Sequence, residues 1–179
     1  MSALSNPLAI AALNRALKKV RSGPVRRPKF DSRTADKFVI RGFVELFDEL
    51  KGIGLHQGRS MNSEAIAAIL DALDGHVRSL MLVKVLKERL GDPICEQVLA
   101  QIPDFELEGC TTPALFVVRL PPNVREIIRN GVAQASSSHG SMKEWVLEAL
   151  VKWVNVQRQQ YALMTATIAM EPTLLGHQE

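Results

Sequence analysis

Residues 37–41 read Lys37-Phe38-Val39-Ile40-Arg41, a short run of β-branched and aromatic residues between two cations that favours a strand. Successive side chains of a strand point to opposite faces. Phe38 and Ile40 therefore share an apolar face, while Lys37, Val39 and Arg41 share a face with charge at both ends. After Gly42, the residues Phe43, Leu46, Phe47 and Leu50 recur at three- and four-residue spacing, which predicts a helix with one buried stripe. Gly52, Gly54 and Gly58 are expected to break it. Ser60 can then cap a second helix with Ser63 and Glu64 in its first turn. Its expected buried stripe is Ile66, Ile69, Leu70, Leu73 and Val77. The local order is strand, helix, helix.

The same order returns downstream. Leu115, Phe116, Val117, Val118 and Arg119 give a second strand signal, and Pro121 and Pro122 suit the start of a helix, where a missing amide proton costs little. Val124, Ile127, Ile128 and Val132 form the next apolar stripe, residues 136–140 interrupt it, and Ser141 can cap a long helix carrying Trp145, Ala149, Leu150, Trp153 and Val154. Arg41 and Arg119 close the two strands 78 residues apart, which points to an internal duplication. Phe38, Ile40, Phe116 and Val118 are expected to share one core beneath the two strands.

The reading divides the chain into five parts. Residues 1–36 are a basic leading segment, with a helix over 7–20 and a Gly- and Pro-containing arm bearing Arg26, Arg27, Lys29 and Arg33. Residues 37–80 and 114–158 are the two strand-helix-helix units. Residues 81–113 connect them, through helices over 80–90 and 94–102, punctuated by Asp92 and Pro93, and an acidic loop containing Cys110. Residues 159–179 extend the last helix through Gln160, Leu163 and Met164 and end loosely.

Composition narrows the chemistry. The chain has 179 residues, 46% of them apolar and 23% charged, which is the profile of a folded, aliphatic-cored protein. Its net charge of +3 is unevenly spread: residues 1–41 hold 10 basic and 2 acidic side chains, and residues 42–179 hold 12 basic and 17 acidic. A basic leading segment on a mildly acidic body suggests local attraction to a polyanion. Cys95 and Cys110 are too few for a disulfide scaffold or a Cys-rich zinc module, and His56, His76, His139 and His177 lack ligand spacing, so no metal or cofactor is expected. No leading segment has signal-peptide form and no window approaches the roughly 20 apolar residues of a membrane span, so a cytoplasmic protein without a membrane partner is expected. No nucleophile-base motif or phosphate loop is present, and the chain is read as not an enzyme.

The stretch Gly58-Arg59-Ser60-Met61-Asn62-Ser63-Glu64, set 17 residues after Arg41, resembles the helix junction of Arc-like ribbon-helix-helix repressors. The likeness covers residues 37–73. The second unit resembles the same family through Phe116, Val118, Arg119, Pro121 and Ser141, with a turn three residues longer and with Lys143 and Glu144 in place of Asn62 and Ser63. The resemblance implies a mainly α fold with a short two-stranded antiparallel ribbon, built as a tandem ribbon-helix-helix on one chain, or by strand exchange between two chains.

It further implies a ribbon in the DNA major groove, with Lys37, Val39, Arg41, Leu115, Val117 and Arg119 on the bases. The helix starts at Ser60, Met61, Asn62 and at Ser141, Met142, Lys143 would hold phosphates. Arg59 and Glu64 match a charged pair of the family, with Ala68 replacing a further basic member, so a simpler structural ion pair is expected. The implied function is sequence-specific double-stranded DNA binding as a transcriptional repressor or as an accessory factor in plasmid maintenance, conjugation or transfer, with self-association on adjacent half-sites and a plasmid-encoded protein as further partners. If Arg26, Arg27, Lys29 and Arg33 engage about four phosphates, deleting the arm lowers the slope of log affinity against log salt by about 3 to 4. The alternative is a protein-interaction adaptor or antitoxin-like module using Trp145, Trp153, Tyr161 and Met164.

Overall fold

The computed structural model describes residues 36–134 and 141–171. The expected helix over 7–20, the arm bearing Arg26, Arg27, Lys29 and Arg33, the interruption over 136–140 and the tail beyond residue 171 lie outside the described residues.

Strand β1 (Asp36–Phe43) pairs antiparallel with β2 (Pro113–Leu120) of the same chain, with Val39 opposite Val117. Helices α1 (Val44–His56) and α2 (Met61–Leu73) follow β1. Helices α3 (Val77–Leu90) and α4 (Asp92–Leu99) and a single 3-10 turn (Leu107–Gly109) lead to β2, and α5 (Val124–Gln134) and α6 (Met142–Met170) follow it. The described fold is mainly α-helical with one two-stranded ribbon.

Strand alternation decides which side of the ribbon meets the helices. Ile40 and Val118 are fully buried, and Phe38 and Phe116 pack against the same core, with the Phe116 ring 5.5 Å from that of Phe47. Leu46, Leu50, Ile69, Ile128, Val146, Leu150 and Val154 complete the centre of this core. Each such aliphatic side chain contributes about 1.5–3 kcal/mol on burial, and this drives the helices onto one face of the ribbon. A second cluster, Val83, Leu90, Cys95, Val156 and Leu163, joins α3 and α4 to the far half of α6.

Several expectations are corrected. Gly52 and Gly54 do not end α1, which runs on to His56. Gly54 is buried where the chain returns, and a Cβ there would lie 3.0 Å from the Arg59 carbonyl, so packing rather than helix breaking accounts for it. Of the expected α2 stripe, Ile69 is buried and Ile66 and Leu73 pack against the core, while Glu64, Ala65 and Ala68 complete the buried face and Leu70 is exposed. Val77 is also exposed and opens the next helix, because Gly75 and His76 both take positive φ and stop α2. Ile127 points to solvent while Val124 and Ile128 are buried, and the side chain of Val132 is outside the described set. The boundaries at 80/81 and 158/159 fall inside continuous helices, since α3 begins at Val77 and α6 runs unbroken to Met170.

Candidate nucleic-acid interface

The six residues expected at the bases all lie on the outer side of the ribbon. Lys37, Val39, Arg41, Leu115, Val117 and Arg119 are exposed, alternating with the core-facing residues as the pleat requires. The register sets Lys37 opposite Arg119, Val39 opposite Val117 and Arg41 opposite Leu115. Among the described residues none of the three cations has an ion-pair partner, so the outer face is a solvated, positively charged surface with an apolar centre.

Each end of the ribbon abuts the start of a helix. The Asn62 side chain accepts a hydrogen bond from the Arg119 amide at 2.8 Å, which ties the first turn of α2 to the edge of β2. At the other end Lys143, in the first turn of α6, lines an open hollow of about 520 Å³ with Arg41, Gly42, Phe43 and Leu115. Ser60 and Ser141 cap the two helices by accepting from the Ser63 and Glu144 amides, each at 3.2 Å. Capping leaves the amides of Met61, Asn62, Met142 and Lys143 without partners among the described residues, and such N–H groups at a helix start favour an anion. The Asn62 side-chain oxygen is engaged by the β2 backbone.

Several polar residues that no local pattern singles out hold the ribbon in place. Arg125 of α5 grips Asp36 through two contacts of 2.9 and 2.7 Å, donates to the Lys37 carbonyl at 2.6 Å and lies over the Phe38 ring. Glu45 of α1 accepts from the Thr111 amide at 3.1 Å and the Thr112 amide at 3.2 Å, while the Val44 amide donates to the Thr112 carbonyl at 2.9 Å. Hydrogen bonds from its own amide and from Thr111 hold the Glu45 carboxyl below its ordinary value, and burial followed by the Glu45 charge pushes the neighbouring Cys110 thiol up. Asn155 and Arg158 of α6 secure the connector further back. Asn155 exchanges two hydrogen bonds with the Phe105 backbone, and Arg158 pairs with Glu49 at 2.9 Å and donates to the Pro103 carbonyl.

Beneath the interface, Arg59 Nε lies 3.2 Å from Glu64 Oε2, in ion-pair contact but outside hydrogen-bond geometry. The other Glu64 oxygen accepts from the Trp153 indole at 2.8 Å. Ala68 is fully buried, and an indole from α6 supplies the hydrogen bond that the Arg59 contact lacks, where the resemblance suggested a bare pair. Trp153 is thus a core residue and no part of a partner surface, Trp145 and Tyr161 are partly buried against the same core, and Met164 alone of the four is exposed.

One serine, histidine and aspartate do meet elsewhere. Ser79 Oγ and His76 Nδ1 both bond to the same Asp71 oxygen, at 2.6 and 2.9 Å. The serine therefore faces the carboxylate and not the imidazole, which leaves it without a general base. The group fastens the junction between α2 and α3.

The family described as the Arc-like DNA binding domain matches residues 32–78. This stretch is an Arc-like ribbon-helix-helix domain. Such domains are non-catalytic DNA-binding modules. The match takes in β1, α1 and α2 and ends as α3 begins, so β2, α5 and α6 stand outside it. No curated protein and no solved structure matches the chain. Among the described residues no helix is long and apolar enough to cross a membrane.

Proposed function

We propose that the chain is a tandem ribbon-helix-helix protein whose own two strands form one ribbon that enters the major groove of duplex DNA. The observation that carries this reading is the register of β1 on β2, which sets Lys37, Arg41 and Arg119 together on one exposed outer face while Ile40 and Val118 are buried behind it. A two-stranded ribbon fits the major groove, where Arg and Lys donate to guanine and apolar side chains meet thymine methyl groups. The helix starts at Ser60, Met61, Asn62 and at Ser141, Met142, Lys143 bracket the ribbon as phosphate clamps. The order β2-α5-α6 repeats β1-α1-α2, which supports a second unit beyond the matched one. In the cell the protein acts as a repressor or as an accessory factor of plasmid maintenance or transfer, with neighbouring copies on adjacent half-sites.

Selection from randomised duplexes, followed by titration of variants, tests the proposal. Arg41→Ala and Arg119→Ala are each expected to weaken the selected site by about 1–3 kcal/mol with an unchanged circular dichroism spectrum. Full affinity in both variants defeats the ribbon as the contact surface. The adaptor reading draws on a different surface, the outer face of α3, where Val77, Leu80, Met81 and Val85 are exposed. A protein partner retained by the double arginine variant and lost on polar replacement of these four residues favours it.

A further inference from the structure

The outer face of the ribbon reads Lys37, Val39, Arg41 along β1 and Leu115, Val117, Arg119 along β2. With Val39 opposite Val117, a twofold axis through that pair carries position 37 onto 115 and position 41 onto 119. Valine matches valine and arginine matches arginine. Lys37 is matched by Leu115, and this single position breaks the symmetry. One end of the ribbon consequently presents two cations, Lys37 beside Arg119, and the other presents Arg41 beside a leucine that is 70% exposed. The supports differ as well. The first end is held by Asn62 and by the Asp36–Arg125 pair, whereas the second borders the open hollow that Lys143 shares with Leu115.

We infer that the chain recognises a duplex site without twofold symmetry, bound in one orientation, and that Leu115 set against Lys37 gives the site its direction. The inference rests on the ribbon-in-groove reading proposed above. A ribbon made from two copies of one strand has identical ends and calls for a palindrome. Here one chain supplies both strands, so the ends are free to differ. An ammonium and a guanidinium donate to guanine N7 and O6, while leucine has no donor and meets a thymine methyl group. The Lys37/Arg119 end therefore reads guanines, and the Arg41/Leu115 end reads a guanine accompanied by a thymine.

The test compares the site selected by the full chain with two palindromes, each built by repeating one half of that site. The unaltered protein is expected to bind the selected site roughly 5- to 150-fold more tightly than either palindrome. Leu115→Lys makes both strands read Lys-Val-Arg, and Lys37→Leu makes both read Leu-Val-Arg. The first variant is expected to move its preference to the palindrome of the Lys37/Arg119 half and the second to the other palindrome. Both positions are exposed, so circular dichroism should show the fold intact. A palindrome selected by the unaltered protein, or variants that keep its order of preference, overturns the inference while leaving duplex binding standing. Failure to select any duplex overturns the ribbon reading itself, and the inference with it.

Discussion

Glu64 shows how much a single position can depend on the rest of the chain. It sits in the first turn of α2, where a carboxylate complements the helix start, yet it is fully buried and needs partners for both oxygens. Arg59 lies five residues away and is visible in sequence; Trp153 comes from α6 and donates its indole N–H. Glu64→Ala leaves the buried indole N–H without its acceptor while the exposed Arg59 guanidinium turns to solvent, and is expected to cost about 1–3 kcal/mol in urea denaturation followed by circular dichroism. Trp153→Phe removes one donor and leaves one carboxylate oxygen unpaired, with an expected loss of about 1–3 kcal/mol. Equal stability of the Glu64→Ala variant and the parent would show that the group is incidental to folding.

At the scale of elements, the connector that leads into β2 is pinned at both ends of its final stretch. Asn155 and Arg158 hold it near Phe105, and Glu45 holds it at Thr111 and Thr112. The Glu45 carboxyl is depressed from its reference of 4.5, so its ionised form is the one favoured by folding. The sign follows from that direction: its stabilising contribution is complete above the unfolded value and is lost as pH falls through the lower folded value. The Thr111 and Thr112 amide resonances should therefore titrate with a midpoint below 4.5. Glu45→Gln should speed hydrogen exchange at these two amides at neutral pH while leaving the amides of Leu46 and Leu50 slow. Unchanged exchange at Thr111 and Thr112 would place the anchor elsewhere.

For the whole molecule, α6 is the organising element. At 29 residues it is about 43 Å long, enough for its first half to close the ribbon core and its second half to pack on α3 and α4. Because both strands belong to one chain, forming the ribbon requires no second copy. The midpoint of urea unfolding is accordingly expected to stay constant over a hundredfold range of protein concentration. A midpoint that rises with concentration would mean that partner exchange contributes to the fold.

Local chemistry was enough to reveal the first unit. The alternation in residues 37–41, the serine caps at Ser60 and Ser141 and the spacing of Leu46, Phe47 and Leu50 each act within a few residues, and a periodicity of two or of 3.6 expresses such forces directly. The same alternation in 115–119 separated core from outer face in β2, although the strands run further, to Asp36–Phe43 and Pro113–Leu120. What stayed illegible was everything that acts across the chain. Gly54 reads locally as a helix breaker, whereas the Arg59 carbonyl lies against it, and Trp153 reads locally as a partner surface, whereas its indole is bonded to Glu64 in the core. Glu45, Arg125, Asn155 and Arg158 are scattered charged or amide residues whose partners lie 50 to 109 positions away, at distances no repeat encodes. Sequence alone determined which side chains of each strand face outward, because pleating is a property of neighbouring residues. Only the tertiary structure decided that Lys37 stands beside Arg119 and Arg41 beside Leu115, because register is settled by the packing of a shared core and by polar anchors brought from remote helices.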